Sequence, residues 1–425
     1  MSFPQELFDM VIDEASKLSD KAERTRALVA LSLVSRAFRE CAQNHLFASI
    51  AFNSGRRATV AAGRLLNLLD ADPNTETKGL ASRITSFSFS SWFLDVKVGN
   101  PSLARILEKL FIGEGKPCAI SFQFFDSTLW PDLPGTLTQA LFQVCHRPRL
   151  ASLSLSNLHD IPQNFLQNSC VNRLSLFYVS VSASLLPQTL FEVIAAQGHQ
   201  ETLIPEYFDI CDENPVLTLL TMSKQVGPAV IFSRLQELRF FPLEGANIPG
   251  LTLEEILVGC KDSLKVLAMR IASDGDRGTM LALTLIPRLL NVHTLALHAT
   301  TTLTETHLSD LATFLQNLAG YCPNLRTVEL EFDMSLRRLL RGDDGILQVI
   351  EELGCKALDE LFEQQQFHGI RKLSLHCRSF LPPALRLSPP VELRTQEEYE
   401  TLILSRFPHI SSRENLKFSV HVTIC

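Results

Sequence analysis

From residue 47 onward one arrangement of side chains keeps returning: apolar, two others, apolar, one other, apolar. Its copies begin at Phe47, Ile84, Leu150, Val171, Leu235, Leu264, Val292, Leu325 and Ile370, as in Leu264-x-x-Leu267-x-Met269. Ile120-x-Phe122-x-Phe124 and Leu416-x-Phe418-x-Val420 are weaker copies. The period-two part of each copy is a strand signature. Helix-spaced segments lie between copies: Arg57 to Leu69, Leu103 to Phe111, Leu137 to Cys145, Leu253 to Gly259, Leu308 to Leu318 and Ile346 to Phe362. The cleanest copies start 28 to 33 residues apart. A strand, a helix and their turns need that much chain, so the pattern predicts strands laid parallel by right-handed crossovers. At least one more copy hides between Ser180 and Ile231, near Leu203 to Ile210. The rival arrangement is a doubly wound α/β domain, which would not normally repeat one phrase so often.

Residues 1–50 follow a different rhythm. Leu7, Val11 and Ala15 recur at helical spacing, with Phe8 and Ile12 alongside. Ser2 and Gln5 have the spacing of a capping box, and Pro4 suits a first helical turn. After the polar stretch Ser19 to Arg26, a second helix is predicted with the stripe Ala27, Leu31, Val34, Phe38 and Cys41, leaving Leu28 and Leu33 outside it. So small a segment cannot bury that much apolar surface internally, so the excess needs a partner or the following domain.

The order of residues here, Phe3-Pro4-x-Glu6-Leu7, then Leu31-x-Leu33-Val34-Ser35-Arg36-x-Phe38, then His45-Leu46-Phe47, resembles the F-boxes of many fungal proteins. Phe3 stands where Leu is commoner, and Phe38 where Trp is often found. The resemblance covers about a tenth of the chain. It implies a helical domain that docks on a Skp-type adaptor and through it on a cullin, with Phe3, Pro4, Leu7, Ile12, Leu31, Val34 and Phe38 as adaptor-binding and core residues. The rest of the chain, residues 51–425, resembles an irregular leucine-rich-repeat solenoid, with parallel strands on the concave face and helices on the convex face. Cys260-x-x-Ser263-Leu264 and Cys322-Pro323-Asn324-Leu325 are similar to that family's lead-in to the strand. Its usual Asn or Cys after the strand is mostly missing, Asn157 being the exception. Together the two resemblances imply the substrate-recognition subunit of a cullin-RING ubiquitin ligase, holding a protein target that the sequence does not name. A repeat scaffold without a ligase role is the alternative, and a hydrolase or transferase hidden on an α/β core is the third.

Composition narrows these choices. The chain has 425 residues, 46% of them hydrophobic, and a net charge of −7. A mildly acidic chain argues against a nucleic-acid partner, which would call for a basic face. No run reaches the roughly eighteen uncharged apolar residues of a membrane span, and the acidic start (Glu6, Asp9, Asp13, Glu14) is unlike a secretory leader. The 10 cysteines include no C-x-x-C pair, and no N-x-[ST] sequon with a permitted middle residue occurs. A cytoplasmic or nuclear location follows as an expectation.

Candidate chemistry is sparse. No G-x-S-x-G, H-E-x-x-H, G-x-G-x-x-G or P-loop motif is present, and Gly113-Glu114-Gly115-Lys116 lacks P-loop spacing. No cofactor, metal or catalytic residue is expected. His293 and His298 are five apart and point to opposite faces, whereas His298 and His376 hold equivalent positions on one face. Arg337, Arg338 and Arg341 precede Gly342-Asp343-Asp344-Gly345 and read as a solvated loop. Residues 70–79 and the proline-rich 380–391 read as insertions.

The remaining place for function is the strand face between the buried positions. It is small and neutral early, with Ser86, Ser88, Ser152, Ser154, Arg173 and Ser175. It is charged later, with Glu237, Arg239, Arg270, Thr294, His298, Glu329, Glu331, Lys372 and His376. The expected target-binding set is Arg239, Arg270, His298, Glu329 and His376, with Phe177 and Phe241 as aromatic anchors.

Overall fold

The computed structural model describes residues 5–53, 56–70, 80–91, 101–111, 118–167, 169, 171–182, 184–186, 203–211, 228–241, 250–271, 287–301, 306–335, 355–380 and 395–424. Two compact units divide the chain, Met1–Leu203 and Ile204–Cys425. Ser2, Phe3 and Pro4, the glycine loop at 113–116, the arginine cluster at 337–341 and most of both expected insertions lie outside the described residues.

The first unit opens with three helices: α1 (Gln5–Ser16), α2 (Lys21–Val34) and α3 (Arg36–Leu46). Asp20 starts α2, its carboxylate accepting from Ala22 N at 2.9 Å. Ser35 is where the expected second helix divides. Its backbone is extended, and its hydroxyl accepts from Phe38 N at 3.3 Å to cap α3. A serine that ends one helix and caps the next is invisible to a periodicity count, because the apolar stripe runs through it. The break also changes which residues face inward. Ile12, Leu28 and Ala42 are buried at the centre, with Ala15, Leu31, Phe38, Cys41 and Leu46 packed against them. Leu28, expected outside the stripe, is therefore core. Phe8 meets Phe38 edge-on at 4.6 Å between ring centres. Arg83 ties this module to the rest of its unit, donating to Gln43 Oε1 at 2.8 Å and Glu40 O at 3.4 Å.

Strands then alternate with helices: β1 (Ser49–Asn53), α4 (Arg56–Asp70), α5 (Leu80–Arg83), β2 (Ser86–Ser91), α6 (Pro101–Phe111), β3 (Cys118–Leu129), α7 (Gly135–Cys145) and β4 (Leu150–His159). β5 (Ile161–Pro162) and β7 (Val181–Ser182) form a small separate pair around β6 (Arg173–Phe177). β1, β2, β3, β4 and β6 lie side by side, all parallel. Asn157, within β4 and two residues past the buried Leu155, is in the left-handed region at φ 57°, where asparagine is tolerated, and its amide donates to Phe124 O at 2.6 Å. Tyr178 holds the equivalent place one strand later at φ 53°.

The second unit repeats the scheme: β8 (Tyr207–Ile210), α8 (Pro228–Ile231), β9 (Glu237–Phe240), α9 (Gly250–Cys260), β10 (Val266–Ile271), β11 (Thr294–Thr301), α10 (Thr306–Tyr321), β12 (Thr327–Ser335), α11 (Cys355–Glu363), β13 (Lys372–Phe380), α12 (Gln396–Leu404), α13 (Pro408–Ser412) and β14 (Lys417–Ile424). β8 to β14 pair in sequence order, each parallel to the next. The expected hidden copy is β8, and the two weaker copies are full strands, β3 and β14. The fold is α/β, built from strand–helix units laid in chain order, an arrangement compatible with a solenoid.

The core follows from the register. Phe208, Leu238, Leu267, Leu295, Val328 and Leu373 are opposite one another across successive strands, and Ile210, Phe240, Met269, Leu297, Leu330 and Leu375 form the next row. All twelve are buried. The lead-in turns are stapled by side chains: Asn291 Nδ2 donates to Asp262 O and Asn324 Nδ2 to Leu290 O, both at 2.7 Å, and Ser263 Oγ donates to Leu235 O at 2.9 Å. Cys260 and Cys322, which open two lead-ins, are buried.

Candidate functional site

Two surfaces hold the residues singled out in the sequence. The first is the outside of the three-helix module. Leu7, Met10 and Val11 are exposed at i, i+3 and i+4, so they share one side of α1. On α2, Val29 and Leu33 are exposed one turn apart, with Val34 beside them. Leu33 is 74% and Val34 66% accessible, values far from those of a packed leucine or valine. Of the adaptor-binding set, Leu7 and Val34 are thus open, Leu31 and Phe38 are half-buried, and Ile12 is at 0%, sealed in the module's own core. Met10, Val29 and Leu33 complete the open apolar surface and were not in that set. The signals for them were the i, i+3, i+4 spacing of Leu7, Met10 and Val11 and the one-turn spacing of Val29 and Leu33.

The second surface is the polar face of the second unit's sheet. Alternation puts Tyr207, Asp209, Glu237, Arg239, Arg270, His298, Glu329, Glu331 and His376 on the side opposite the core rows. Near β8 and β9, Arg239 Nε donates to Glu237 at 2.8 Å and its guanidinium lies 5.6 Å over the Tyr207 ring. Tyr207 donates its hydroxyl to Asp209 at 3.1 Å. Burial pushes the Tyr207 phenol up to about 12 and raises Asp209 above the ordinary carboxylate range.

Further along, Arg270, His298, Glu331 and His376 stand directly opposite one another across β10, β11, β12 and β13. Arg270 Nε donates to His298 Nδ1 at 3.4 Å, and His298 Nε2 lies 3.7 Å from Glu331. The donor at Nδ1 assigns the imidazole proton to Nε2, on the Glu331 side. Arg378 pairs with the same carboxylate from β13. Phe241 meets His298 edge-on at 6.2 Å. Glu329 binds Lys372 at 2.8 Å, and the rings of His376 and His421 are 4.9 Å apart. Burial first, then the neighbouring His421, lowers the pKa of His376. The structure therefore joins Phe241, Arg270 and His298, places Glu329 with Lys372, and pairs His376 with His421. Phe177 lies in the first unit, half-buried and in register with Ser156.

An open cleft of about 550 Å³ lies over the lead-in turns of β8 to β11, between Glu206, Arg234, Asp262, Lys265, Asn291 and His293. Lys265 donates to Gln236 at 2.9 Å, and Asn291 is spent on the staple to Asp262. Among the described residues no group of three or more His, Cys, Asp or Glu side chains is placed to hold a metal ion. Nor is any described helix long and apolar enough to cross a membrane. No family model and no curated protein matches this chain.

Proposed function

We propose that the chain is the substrate-recognition subunit of a cullin-RING ubiquitin ligase, its N-terminal helices an F-box and its strand–helix units leucine-rich repeats. The observation that carries this reading is the division within the helical module. Ile12, Leu28 and Ala42 close its core, yet Leu7, Met10, Val11, Val29, Leu33 and Val34 stay open. Covering one such side chain is worth about 1.5–3 kcal/mol, so a protein seated on this ridge would gain from burying it. The adaptor supplies that cover. The polar face of the second unit then holds the target, and proximity raises the local concentration of the target's lysines around the ubiquitin-carrying partner. In this reading the chain performs no chemistry.

Co-purification of the full chain with a Skp-type adaptor tests it. Leu33→Asp with Val34→Asp should abolish capture and leave the far-ultraviolet spectrum and melting point unchanged, because both side chains already face water. Leu31 is unsuited to this test, since it packs on the core. Wild-type chain that fails to capture the adaptor, or capture that survives the double substitution, favours a repeat scaffold with a helical cap.

A further inference from the structure

The last two strands of the second unit carry matched side chains in register. Lys372 stands opposite Lys417, Ser374 opposite Ser419, and His376 opposite His421. Ser419 Oγ donates to Ser374 Oγ at 3.2 Å, and Ser374 is buried, so the serines form the floor between a lysine pair and a histidine pair. Like charges directly opposite on neighbouring strands destabilise a sheet. With Lys372 held by Glu329, the surplus positive charge on this open face sits on Lys417 and suits an anion from outside.

The neighbouring carboxylates leave this arrangement unbalanced. Glu329 is engaged by Lys372, and Glu331 by Arg378 and His298. Lys417 has no ion pair among the described residues and is exposed, as is His421. The charged groups around His376 are Glu329, Glu331, Arg378 and His421. Glu400, which feels the charge of His421, is already bound by Gln396 and the Val422 amide. The lysine and histidine rows are four residues apart, about 13 Å along the strands. One phosphate cannot span that distance, whereas successive carboxylates of an extended peptide can.

We propose that the open face of β13 and β14 binds an extended acidic segment of a partner protein, its carboxylates seated on Lys417 with Lys372 and on His421 with His376. This deepens the target-holding half of the function proposed above. It is independent of adaptor docking, so the two readings fail separately.

Fluorescence anisotropy of the full chain with labelled hexaglutamate, hexaglutamine and phosphoserine peptides tests the assignment. Hexaglutamate should bind and hexaglutamine should not. Lys417→Glu, at an exposed position, should weaken hexaglutamate binding about tenfold. Raising the ionic strength should weaken hexaglutamate binding, because its contacts are charge pairs on an exposed face. His421→Gln, at an exposed position, should weaken hexaglutamate binding by less than Lys417→Glu does. Equal binding of the glutamine peptide, binding indifferent to Lys417→Glu, or capture of the phosphoserine peptide alone would each overturn the proposal.

Discussion

His146 shows how one residue records competing forces. It lies at the end of α7, almost fully buried, with Nδ1 at 2.7 Å from Phe142 O and Nε2 at 2.7 Å from Gln167 O. Burial disfavours the imidazolium and outweighs the two carbonyls that favour it, so the folded pKa falls below the ordinary histidine value. A depressed histidine binds fewer protons in the folded than in the unfolded state. Its contribution is intact above about pH 6.5 and is lost as pH falls below it. Urea midpoints should therefore drop on acidification through that range, and His146→Gln should reduce the slope. A wild-type slope of opposite sign would mean that the carbonyl pair overrides burial. Arg149 is a second buried case. Its guanidinium donates to Leu110 O, to Ala81 O at 2.8 Å and to Ile84 O at 3.1 Å. Arg149→Met should destabilise by on the order of 3 kcal/mol, since it strands three carbonyls. Arg149→Lys should recover only part of that, lacking the planar fork. Neither role was legible in the sequence, because a buried histidine and a surface one look alike until their carbonyl partners are placed.

At the level of elements the sequence was far more informative. Every copy of the apolar phrase became a strand, because period-two burial on one face and a helix on return leave little other choice. The helices Pro101–Phe111 and Gly135–Cys145 came within two residues of their expected starts. Boundaries set by single polar atoms were not legible. Ser35 divides α2 from α3, and Ser35→Ala should cost about 1 kcal/mol of stability, measurable by denaturant titration. The lead-in asparagines are similar: Asn291 and Asn324 occupy the same offset from their strands, yet their bonds to the preceding turn emerge only when turns are stacked. Asn324→Ala should lower stability by about 1 kcal/mol and raise amide exchange around Leu290. Asp359 is a third anchor of this type. It is buried, and it accepts from His409 N at 3.1 Å and Ile410 N at 2.9 Å to hold the start of α13.

For the molecule as a whole, the candidate surfaces divided by how their residues are exposed. The polar strand face was legible because alternation assigns each side chain to a side, and Arg270, His298 and His376 share the face opposite the core rows. Their bonds to Glu331 and His421 depend on strand pairing, which the phrase alone does not give. The exposed apolar ridge of the helical module was legible as an excess of apolar residues but not in detail, since Ile12 is sealed in the core of the module while Val34 faces out. The first unit's open face is nearly uncharged, with Ser88, Ser121, Ser154 and Ser175 directly opposite one another on successive strands.

Among the described residues β14 is the outermost strand of the second unit, and α12 packs beside it. There the Glu400 carboxylate takes the Val422 amide at 3.1 Å, a group that would otherwise be offered to any passing strand. A single acidic side chain thus acts as a stopper against runaway stacking of one chain on the next. Glu400→Ala should uncork it: sedimentation velocity should show stronger concentration-dependent association for the variant than for the unmodified chain.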